Sequence, residues 1–517
     1  MRILVYSETN ASTIRNSLGA PEYSYYFVLK EFLPALRELG EVVVVSDPGV
    51  EVDPLYRESR ERGQACVFLS FSPPHKTQAN LECPTIPVFA WEFDSIPHEV
   101  WLRDFTQDWP FMLRQFGQAI THSQSTVAAA RKVLHATYPM LSVPAPVWDS
   151  FAALRALPMA TGRQSIRGNG VVFDSWKLDL QSFLHAKPDH WHRLFKGEEP
   201  PDEEEGIATA AVEAASRVGW QGWLRIHRRY LAAWYLLVLQ DLLPNAAKAV
   251  LRKLLRRQPK AVQGSREPAE IAADVFPQRA LFKPAPFALE LEGVVFTTVF
   301  NPYDGRKNWQ DLITAFCTAF ADTSDAVLLF KLTHREYCSA LTAMARCMAR
   351  LPAFRCRVLL VHGYLEDADY QALMTATSYV VNASFGEGQC LPLMEFLSCG
   401  KPAIAPVHSG MSDYIDEDVA FVVDSWAEAT AWPHDPRSAI RTCRQQIDWT
   451  SLVAAYRNAY RLFREQPEQY REMADRAVRR MEDYCSRRAV NERLRPFLAA
   501  AAARAEGNRI AEWSVAQ

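Results

Sequence analysis

Two glutamates stand in a stretch of the chain that is rich in glycine and bounded by apolar runs. Glu387 and Glu395 are separated by seven residues, and Gly386 and Gly388 flank the first of them. Glycines let the backbone approach a ligand closely, and carboxylates accept hydrogen bonds from hydroxyl groups. The two glutamates could therefore hold the hydroxyls of one polar ligand from opposite ends.

The elements around these glutamates place them at an edge where ligands bind. A buried-type strand ends at Asn382, a helix begins at Pro392, and this helix ends at Gly400, in keeping with the preference for proline at a helix start and glycine at a helix end. Such a strand–loop–helix unit lies at the carboxyl edge of a parallel sheet, where ligands of these folds bind. The free N–H groups at the helix start favour an anion such as a diphosphate.

Two adjacent cations occur earlier in the same half of the chain. Arg306 and Lys307 follow the strand Val294–Phe300 and precede the amphipathic helix Trp309–Phe320. They could neutralise a leaving diphosphate, and a solvated helix start is the alternative. Lys331 ends the next strand and is interpreted as a surface lysine, with contact to the phosphates as its alternative.

Short apolar strands alternate with helical patterns in both halves of the chain, which predicts an α/β fold. In the first half the strand Ile3–Tyr6 precedes the helix Tyr23–Leu39, and this alternation is typical of a doubly wound parallel sheet. We expect an N-terminal Rossmann-like domain, a helix-rich insertion, a C-terminal Rossmann-like domain and helices that pack back across the domains. Their predicted ranges are 1–147, 148–290, 291–447 and 448–517.

Composition and charge exclude several classes of protein. The chain has 517 residues, a net charge of -3, and ten scattered cysteines without Cys-x-x-Cys spacing. The charge argues against a protein dominated by nucleic-acid binding. The cysteines indicate reduced thiols in a cytoplasmic protein, with neither a disulfide framework nor a zinc site. His190 and His192 flank Trp191 without a third ligand, so no metal site is predicted.

The segment 382–405 resembles the family-4-type retaining glycosyltransferases, which have the GT-B fold. Their hallmark is a Glu-Gly-x-x-Leu-Pro-x-x-Glu run followed by Gly-Lys-Pro, and here Glu387 to Glu395 and Gly400 to Pro402 match it. The resemblance implies two Rossmann-like domains that face a cleft, with the donor bound to the C-terminal one. It also implies that Glu387 contacts the donor sugar and that Glu395 contacts the nucleotide ribose.

The resemblance extends to the strand ends nearby. The family usually has an arginine at the end of the first strand and a lysine a few residues later. Lys307 matches the lysine, whereas Asn301 stands near the arginine position, and Arg306 could supply the missing charge. The turn 363–365 is similar to the family's glycine-containing turn against the nucleotide base.

Three residues of the N-terminal half face the same cleft by resemblance. Gly19 lies where the family has its glycine-rich first loop, near the acceptor and the donor phosphate. Glu92 and Asp94 follow a strand in a region where many relatives have a histidine. Either carboxylate could orient the acceptor hydroxyl or accept its proton, and a structural role is the alternative. The predicted catalytic residues are Glu387, Glu92 and Asp94. The predicted donor-binding residues are Gly19, Arg306, Lys307, Gly363, Tyr364, Leu365, Gly388, Gln389, Cys390, Leu391 and Glu395.

The sequence thus predicts a retaining, hexosyl-type glycosyltransferase. It would move a sugar from a nucleoside diphosphate sugar to a carbohydrate or glycolipid acceptor in surface polysaccharide or glycoconjugate assembly, without a metal or other cofactor. A catalytically silent GT-B module that binds sugar nucleotides or glycans is the alternative, because Asn301 replaces the usual arginine. A sugar-nucleotide epimerase of GT-B fold would lack the paired-glutamate loop.

One stretch of the predicted insertion combines apolar and basic residues. Residues 219–258 include the apolar run Leu231–Leu239, which is too short for a bilayer core that needs about 20 residues. The stretch could lie on an anionic membrane surface, which would place the protein in the cytoplasm at the inner face of the membrane. An ordinary helix with a solvated basic face is the favoured alternative.

Overall fold

The secondary structure falls into two α/β halves, seen here in a computed structural model. It describes residues 1–10, 14, 19, 23–100, 104–157, 162–180, 183, 284–432, 435, 438–439 and 441–515, with side chains up to residue 504. The stretch 219–258, with its predicted membrane contact, lies outside the described residues, as do His190 and His192. Within the described part of the chain no helix combines the length and hydrophobicity needed to cross a bilayer.

The N-terminal half contains a six-stranded sheet and the helices that cover it. Its strands are β1 Arg2–Tyr6, β2 Glu41–Val44, β3 Cys66–Phe71, β4 Thr85–Phe89, β5 Ala119–Thr121 and β6 Met140–Ser142. Its helices are α1 Tyr23–Leu39, α2 Pro48–Glu61, α3 Trp109–Phe116, α4 Gln124–Arg131 and α5 Ala152–Arg155. All strand pairs are parallel, in the order β2-β1-β3-β4-β5-β6, as the alternating sequence pattern predicts.

Helix α1 has the bounds that its sequence pattern predicts. Leu29, Phe32 and Leu36 recur at three- and four-residue spacing and are buried. The ring of Phe32 lies 5.4 Å from that of Phe71 in β3, so this face of α1 packs on the sheet.

The C-terminal half contains a larger, mixed sheet. Its strands are β7 Gln164–Asp174, β8 Ala285–Leu291, β9 Val294–Phe300, β10 Ala326–Leu332, β11 Arg357–His362, β12 Tyr379–Val381, β13 Ala403–Pro406 and β14 Ala420–Val423. Its helices are α6 Trp309–Ala319, α7 Cys338–Ala349, α8 Asp367–Ala376 and α9 Leu391–Ser398. The order is β14-β13-β12-β9-β10-β11-β7-β8, and the strands from β14 to β11 are parallel.

The strand order of this sheet creates a crevice at its centre. Strand β9 lies between β10 and β12, so the chain winds outward first on one side of β9 and then on the other. At such a reversal the loops that leave the carboxyl ends of the two central strands diverge, and ligands of doubly wound sheets bind between them. The loops in question follow β9 and β12.

Two strands come from a part of the chain that the sequence pattern did not identify as sheet. Strand β7 pairs antiparallel with β11 and with β8, and it lies within the predicted insertion 148–290. An added Cβ at Gly170 would lie 2.3 Å from the carbonyl oxygen of His362, so the close approach of β7 to β11 depends on glycine here. The second sheet thus takes strands from both ends of the predicted insertion.

An antiparallel hairpin forms a third, small sheet. Its strands are β15 Ser425–Ala431 and β16 Arg441–Ile447. The hairpin touches both halves of the molecule: the Ser95 hydroxyl donates to the Arg441 carbonyl at 2.9 Å, and the Gln445 amide donates to the Phe385 carbonyl at 2.8 Å. We refer to β15 and β16 as the bridging hairpin.

Three helices end the chain, as its pattern after Trp449 predicts. They are α10 Trp449–Glu465, α11 Pro467–Cys485 and α12 Arg487–Val515. Helix α12 returns to the N-terminal half, where the Asn491 amide donates to the Ala35 carbonyl at 3.1 Å and to Glu38 at 2.9 Å. The two sheets belong to one compact unit. Two doubly wound sheets in one chain, with a C-terminal helix that returns to the first, form the two-domain α/β architecture of the GT-B fold.

The tight turn between β8 and β9 gives a test of this packing. Gly293 has a φ of 94°, and an added Cβ would lie 2.0 Å from the Asp325 carbonyl oxygen. Gly63 has a φ of 64° with no atom within 4 Å of such a Cβ. Left-handed backbone costs a non-glycine residue roughly 1–2 kcal/mol. We expect Gly293→Ala to lower the melting temperature clearly more than Gly63→Ala, and equal losses would contradict the close approach at Gly293.

Candidate functional site

The loop between β12 and α9 lies at the carboxyl edge of the second sheet, beside the strand reversal. Asn382 starts the turn, since its side-chain oxygen accepts a hydrogen bond from the Ser384 amide at 2.8 Å. The chain enters α9 through Cys390, whose φ of 59° is left-handed. The helix begins at Leu391, one residue before the predicted start. The predicted strand–loop–helix unit is therefore present at the sheet edge.

The carboxylate of Glu387 is buried and hydrogen-bonded on both oxygens. Its Oε1 accepts from Lys307 Nζ at 2.7 Å, from Ser384 Oγ at 2.6 Å and from Asn382 Nδ2 at 3.0 Å. Its Oε2 accepts from Lys307 Nζ at 2.9 Å. The structure thus brings together Glu387 and Lys307, which the sequence analysis assigned to one site.

This ion pair shifts the pKa values of both partners. Burial alone would raise the pKa of Glu387, but the charges of Lys307 and Arg306 outweigh it and lower the pKa to about 2. Burial likewise opposes a charged Lys307, yet the carboxylate of Glu387 raises the pKa of that lysine. Both groups are therefore ionised at neutral pH. A buried pair of this kind needs further hydrogen bonds, which Ser384 and Asn382 provide.

Arg306 connects the glutamate loop to the N-terminal half. Its Nη1 donates to the Gly386 carbonyl at 2.8 Å, and its Nη2 lies 2.6 Å from Asp304 and 3.2 Å from Glu92. Burial opposes its charge, but the carboxylates of Glu92 and Asp304 raise the pKa of Arg306. The positive charge of Arg306 is thus shared by two carboxylates. Through Arg306, the carboxylate of Glu92 is linked to the Glu387 loop.

Asp94 takes part in a different set of contacts. One oxygen accepts from Lys132 Nζ at 2.8 Å, and the other accepts from Thr442 Oγ1 at 2.9 Å and from the Cys443 amide at 2.6 Å. Burial would raise the pKa of Asp94, but these hydrogen bonds lower it. The structure brings Glu92 to the cations of the site, whereas it ties Asp94 to the bridging hairpin.

Glu395 lies on α9, one to two turns beyond the loop. Its Oε2 accepts from the Tyr370 hydroxyl of α8 at 2.8 Å, and among the described residues its Oε1 has no partner. Burial raises the pKa of Glu395 to about 7. A ligand hydroxyl or a water molecule can therefore bond the second oxygen.

The loop backbone between the glutamates packs against the N-terminal half. An added Cβ at Gly388 would lie 2.8 Å from Ala90 Cβ, so this contact requires glycine. The side-chain oxygen of Gln389 accepts from the Ala145 amide at 3.0 Å. The predicted donor-binding loop therefore lies at the boundary between the two halves, and the side chain of Gln389 bonds across that boundary.

The turn predicted to face a nucleotide base follows β11. An added Cβ at Gly363 would lie 2.6 Å from the Asn169 carbonyl oxygen, so β7 supports this turn. Leu365 is buried, and its side chain would be 2.7 Å from a Cβ at Gly168. Burial raises the pKa of Tyr364. The side of the turn formed by Gly363 and Leu365 is therefore covered by β7.

Gly19 belongs to the first loop of the N-terminal half and lies against the second sheet. Its φ is 83°, and an added Cβ would lie 1.9 Å from the His334 ring. That ring is 4.3 Å from the ring of Tyr303, in the loop after β9. The first loop of the chain thus reaches the carboxyl edge where the predicted donor residues lie.

Lys331 is buried, so its interpretation as a surface lysine is wrong. Only 6% of its surface is exposed, and its ammonium donates to the hydroxyl of Thr333. Burial lowers the pKa of Lys331 to about 8. Its sequence position gave no sign of this, because lysine is rarely buried without a partner.

A small cavity opens at the strand reversal. It is lined by the carboxyl ends of β9 and β12, the loop after β12, the first turn of α9 and Lys307. Burial raises the pKa of the Cys390 thiol, which also lines the cavity, to about 12, so this thiol is neutral. Among the described residues no cluster of histidine, cysteine and acidic side chains could hold a metal ion.

Comparison with known proteins gives only distant similarities. No family model and no curated protein matches the chain. The solved structures to which it is similar include the following three. The first is TarM of S. aureus, solved with Fondaparinux, α-GlcNAc-glycerol and UDP (8% identity, TM-score 0.41, 84% of this chain and 55% of TarM). The second is HepE of Anabaena, solved with UDP and glucose (10% identity, TM-score 0.44, 97% of this chain and 100% of HepE). The third is WaaG, a glycosyltransferase involved in lipopolysaccharide biosynthesis (9% identity, TM-score 0.42, 95% of this chain and 99% of WaaG).

The chain spans about half the length of TarM. Each of the three TM-scores is below 0.5. The function therefore has to be inferred from the residues of the site itself.

The buried ion pair predicts a specific acid sensitivity. The pKa of Glu387 falls from 4.5 to about 2 in the folded protein, so this group stabilises the fold above pH 4.5 and the stabilisation is lost as the pH falls towards 2. We expect the melting temperature to fall more steeply over this range in the wild type than in Glu387→Gln. Glu292→Gln, which removes one partner of an exposed pair with Arg163, should keep the wild-type slope. Equal slopes in the wild type and Glu387→Gln would contradict the assignment.

Proposed function

We propose that the protein is a retaining glycosyltransferase that uses a nucleoside diphosphate sugar. The observation that carries this proposal is the buried Lys307–Glu387 pair beside the start of α9, at the strand reversal of a doubly wound sheet. A cation, a carboxylate and the loop amides that precede α9 together match an activated sugar, which presents phosphates and hydroxyl groups side by side.

Donor binding would replace the bonds between Lys307 and Glu387 with bonds from each of them to the donor. The diphosphate would accept hydrogen bonds from Lys307 and from backbone amides of the segment from Gly388 to Leu391, while the sugar hydroxyls would donate to Glu387. Because Lys307 then faces the leaving phosphate, it stabilises the charge that develops as the glycosidic bond breaks. Glu395, whose Oε1 has no partner among the described residues, would accept a hydrogen bond from the ribose.

The acceptor would bind on the N-terminal side of the boundary. Glu92, on that side, reaches the site through its 3.2 Å contact with Arg306. We propose that it orients the acceptor hydroxyl, and that the departing phosphate takes the hydroxyl proton during front-side attack. We also propose that the acceptor is a carbohydrate or glycolipid of a surface polysaccharide or glycoconjugate. The proposed site of action is the cytoplasm.

We propose that the positive side chains perform the charge neutralisation without a metal ion. Lys307 and Arg306, from the loop after β9, supply fixed positive charge beside the Glu387 loop. If so, a chelator such as EDTA leaves the rate of transfer unchanged.

A catalytically silent binding module is the second candidate, and two observations favour it. Asn301 stands in place of the usual arginine, and its side-chain oxygen accepts from the Tyr303 amide at 3.0 Å. Both oxygens of Glu387 are also bonded within the protein. Such a module would bind a sugar nucleotide and would neither transfer nor hydrolyse it.

The first experiment identifies the donor. Saturation-transfer NMR of the wild type against a panel of nucleotide sugars should show contacts to one base and one sugar. Release of the nucleoside diphosphate from that donor, with and without glycan acceptors, then separates a transferase from a silent module. Binding without turnover under all conditions would favour the module.

Removal of the site carboxylate gives the sharpest test of the transferase. We expect Glu387→Gln to lower kcat by at least about 100-fold, because a preorganised polar contact to the reacting sugar is lost. Glu417→Gln removes an exposed glutamate of the same half and should keep wild-type kinetics. Circular dichroism and gel filtration serve as the controls that test whether both variants are folded. Full activity in a folded Glu387→Gln variant would overturn the site assignment.

A further inference from the structure

The two cations described so far in the site are both paired with carboxylates, which leaves little positive charge for a diphosphate. Lys307 is paired with Glu387, and Arg306 lies against both Glu92 and Asp304. The position where the resemblance predicts an arginine holds Asn301. A diphosphate carries two or more negative charges, so the site as described is short of cations.

Lys331 lies on the strand next to this position. Strand β10 pairs with β9 so that Lys331 is opposite Val299, and Val299 lines the small cavity together with Lys307. Neighbouring strands are about 4.8 Å apart, and residues paired in a parallel ladder point to the same face. Lys331 therefore lies one strand away from the cavity, near the carboxyl end of β10, and on the same face of the sheet as Val299.

The surroundings of Lys331 offer it no negative charge. Its contact with Thr333 is its one polar partner among the described residues, and no described carboxylate lies within ion-pair distance. Nearby, burial and then the charges of Lys331 and His334 lower the pKa of His362 to about 3, and the Nε2 of His362 has no partner among the described residues. A buried ammonium without an anion is costly, so its retention points to a ligand that supplies one.

We propose that Lys331 binds the diphosphate of the donor and replaces, from the neighbouring strand, the arginine that Asn301 lacks. This inference rests on the proposed function. The ammonium can give up its bond to Thr333 and donate to phosphate oxygens, and no bond to a carboxylate has to be broken first. The site would then hold two lysines from adjacent strand ends, Lys307 after β9 and Lys331 near the end of β10.

The test compares two lysines of the same half whose pKa values are both lowered by burial. Lys331→Met removes the proposed phosphate ligand. Lys401→Met is the matched control, because Lys401 is also a lysine whose pKa burial lowers to about 8, but it precedes β13 and donates to the Thr375 carbonyl at 3.2 Å. The double variant Asn301→Arg/Lys331→Met returns a cation to the position of the family pattern.

The probes are UDP, ADP and GDP, titrated by calorimetry, and the nucleoside of the tightest binder. We expect Lys331→Met to weaken binding of the nucleoside diphosphate by about 10- to 100-fold, the usual value of a charge-assisted hydrogen bond, and to leave nucleoside binding unchanged. Lys401→Met should bind like the wild type, and the double variant should recover most of the affinity. The melting temperature of Lys331→Met should stay equal or rise, because an uncompensated buried charge is removed.

The outcomes separate this inference from the proposed function. A wild type that binds one of the three nucleotides, with unchanged affinity in Lys331→Met, overturns the role of Lys331 and leaves the proposed function standing. A lower melting temperature with unchanged affinity assigns Lys331 a structural role. A wild type that binds none of the nucleotides overturns both proposals.

Discussion

The ion pair between Lys307 and Glu387 fixes the geometry on which the rest of the site depends. Lys307 comes from the loop after β9 and Glu387 from the loop after β12, and these two strands are neighbours at the strand reversal. Neither charge could remain buried without the other, so the pair holds the two loops at a set distance. A ligand that enters between them must offer an anion to the lysine and hydrogen-bond donors to the carboxylate.

The same loop also joins the two halves of the molecule through contacts that only glycine permits. An added Cβ at Gly386 would lie 2.7 Å from the Glu92 carbonyl oxygen, and one at Gly388 would lie 2.8 Å from Ala90 Cβ. The glycines of the motif thus serve the packing of the loop as well as the approach of a ligand. This dual use explains why so short a loop can lie buried between two domains.

The sequence predicted those parts of the site that local pattern determines. The bounds of α1 and β9 coincide with their predictions, because apolar periodicity and flanking glycines mark them. Strand β7 was missed, since Gly168 and Gly170 stand at the alternate positions where apolar side chains would have marked a strand. The burial of Lys331 and the partners of Asp94 could not be predicted, because they depend on contacts between residues far apart in the chain. Asp94 and Cys443, for example, are 349 positions apart.

The bridging hairpin determines how the crevice can widen. Strand β16 bonds Asp94 on one side and the carbonyl of Phe385 on the other, and the guanidinium of Arg444 lies 4.8 Å from the Phe385 ring. Any swing of the N-terminal half away from the second sheet must either break these bonds or carry the hairpin along and pull on the loop that holds Glu387. The hairpin thus connects the N-terminal half to the loop that holds Glu387 through its own backbone.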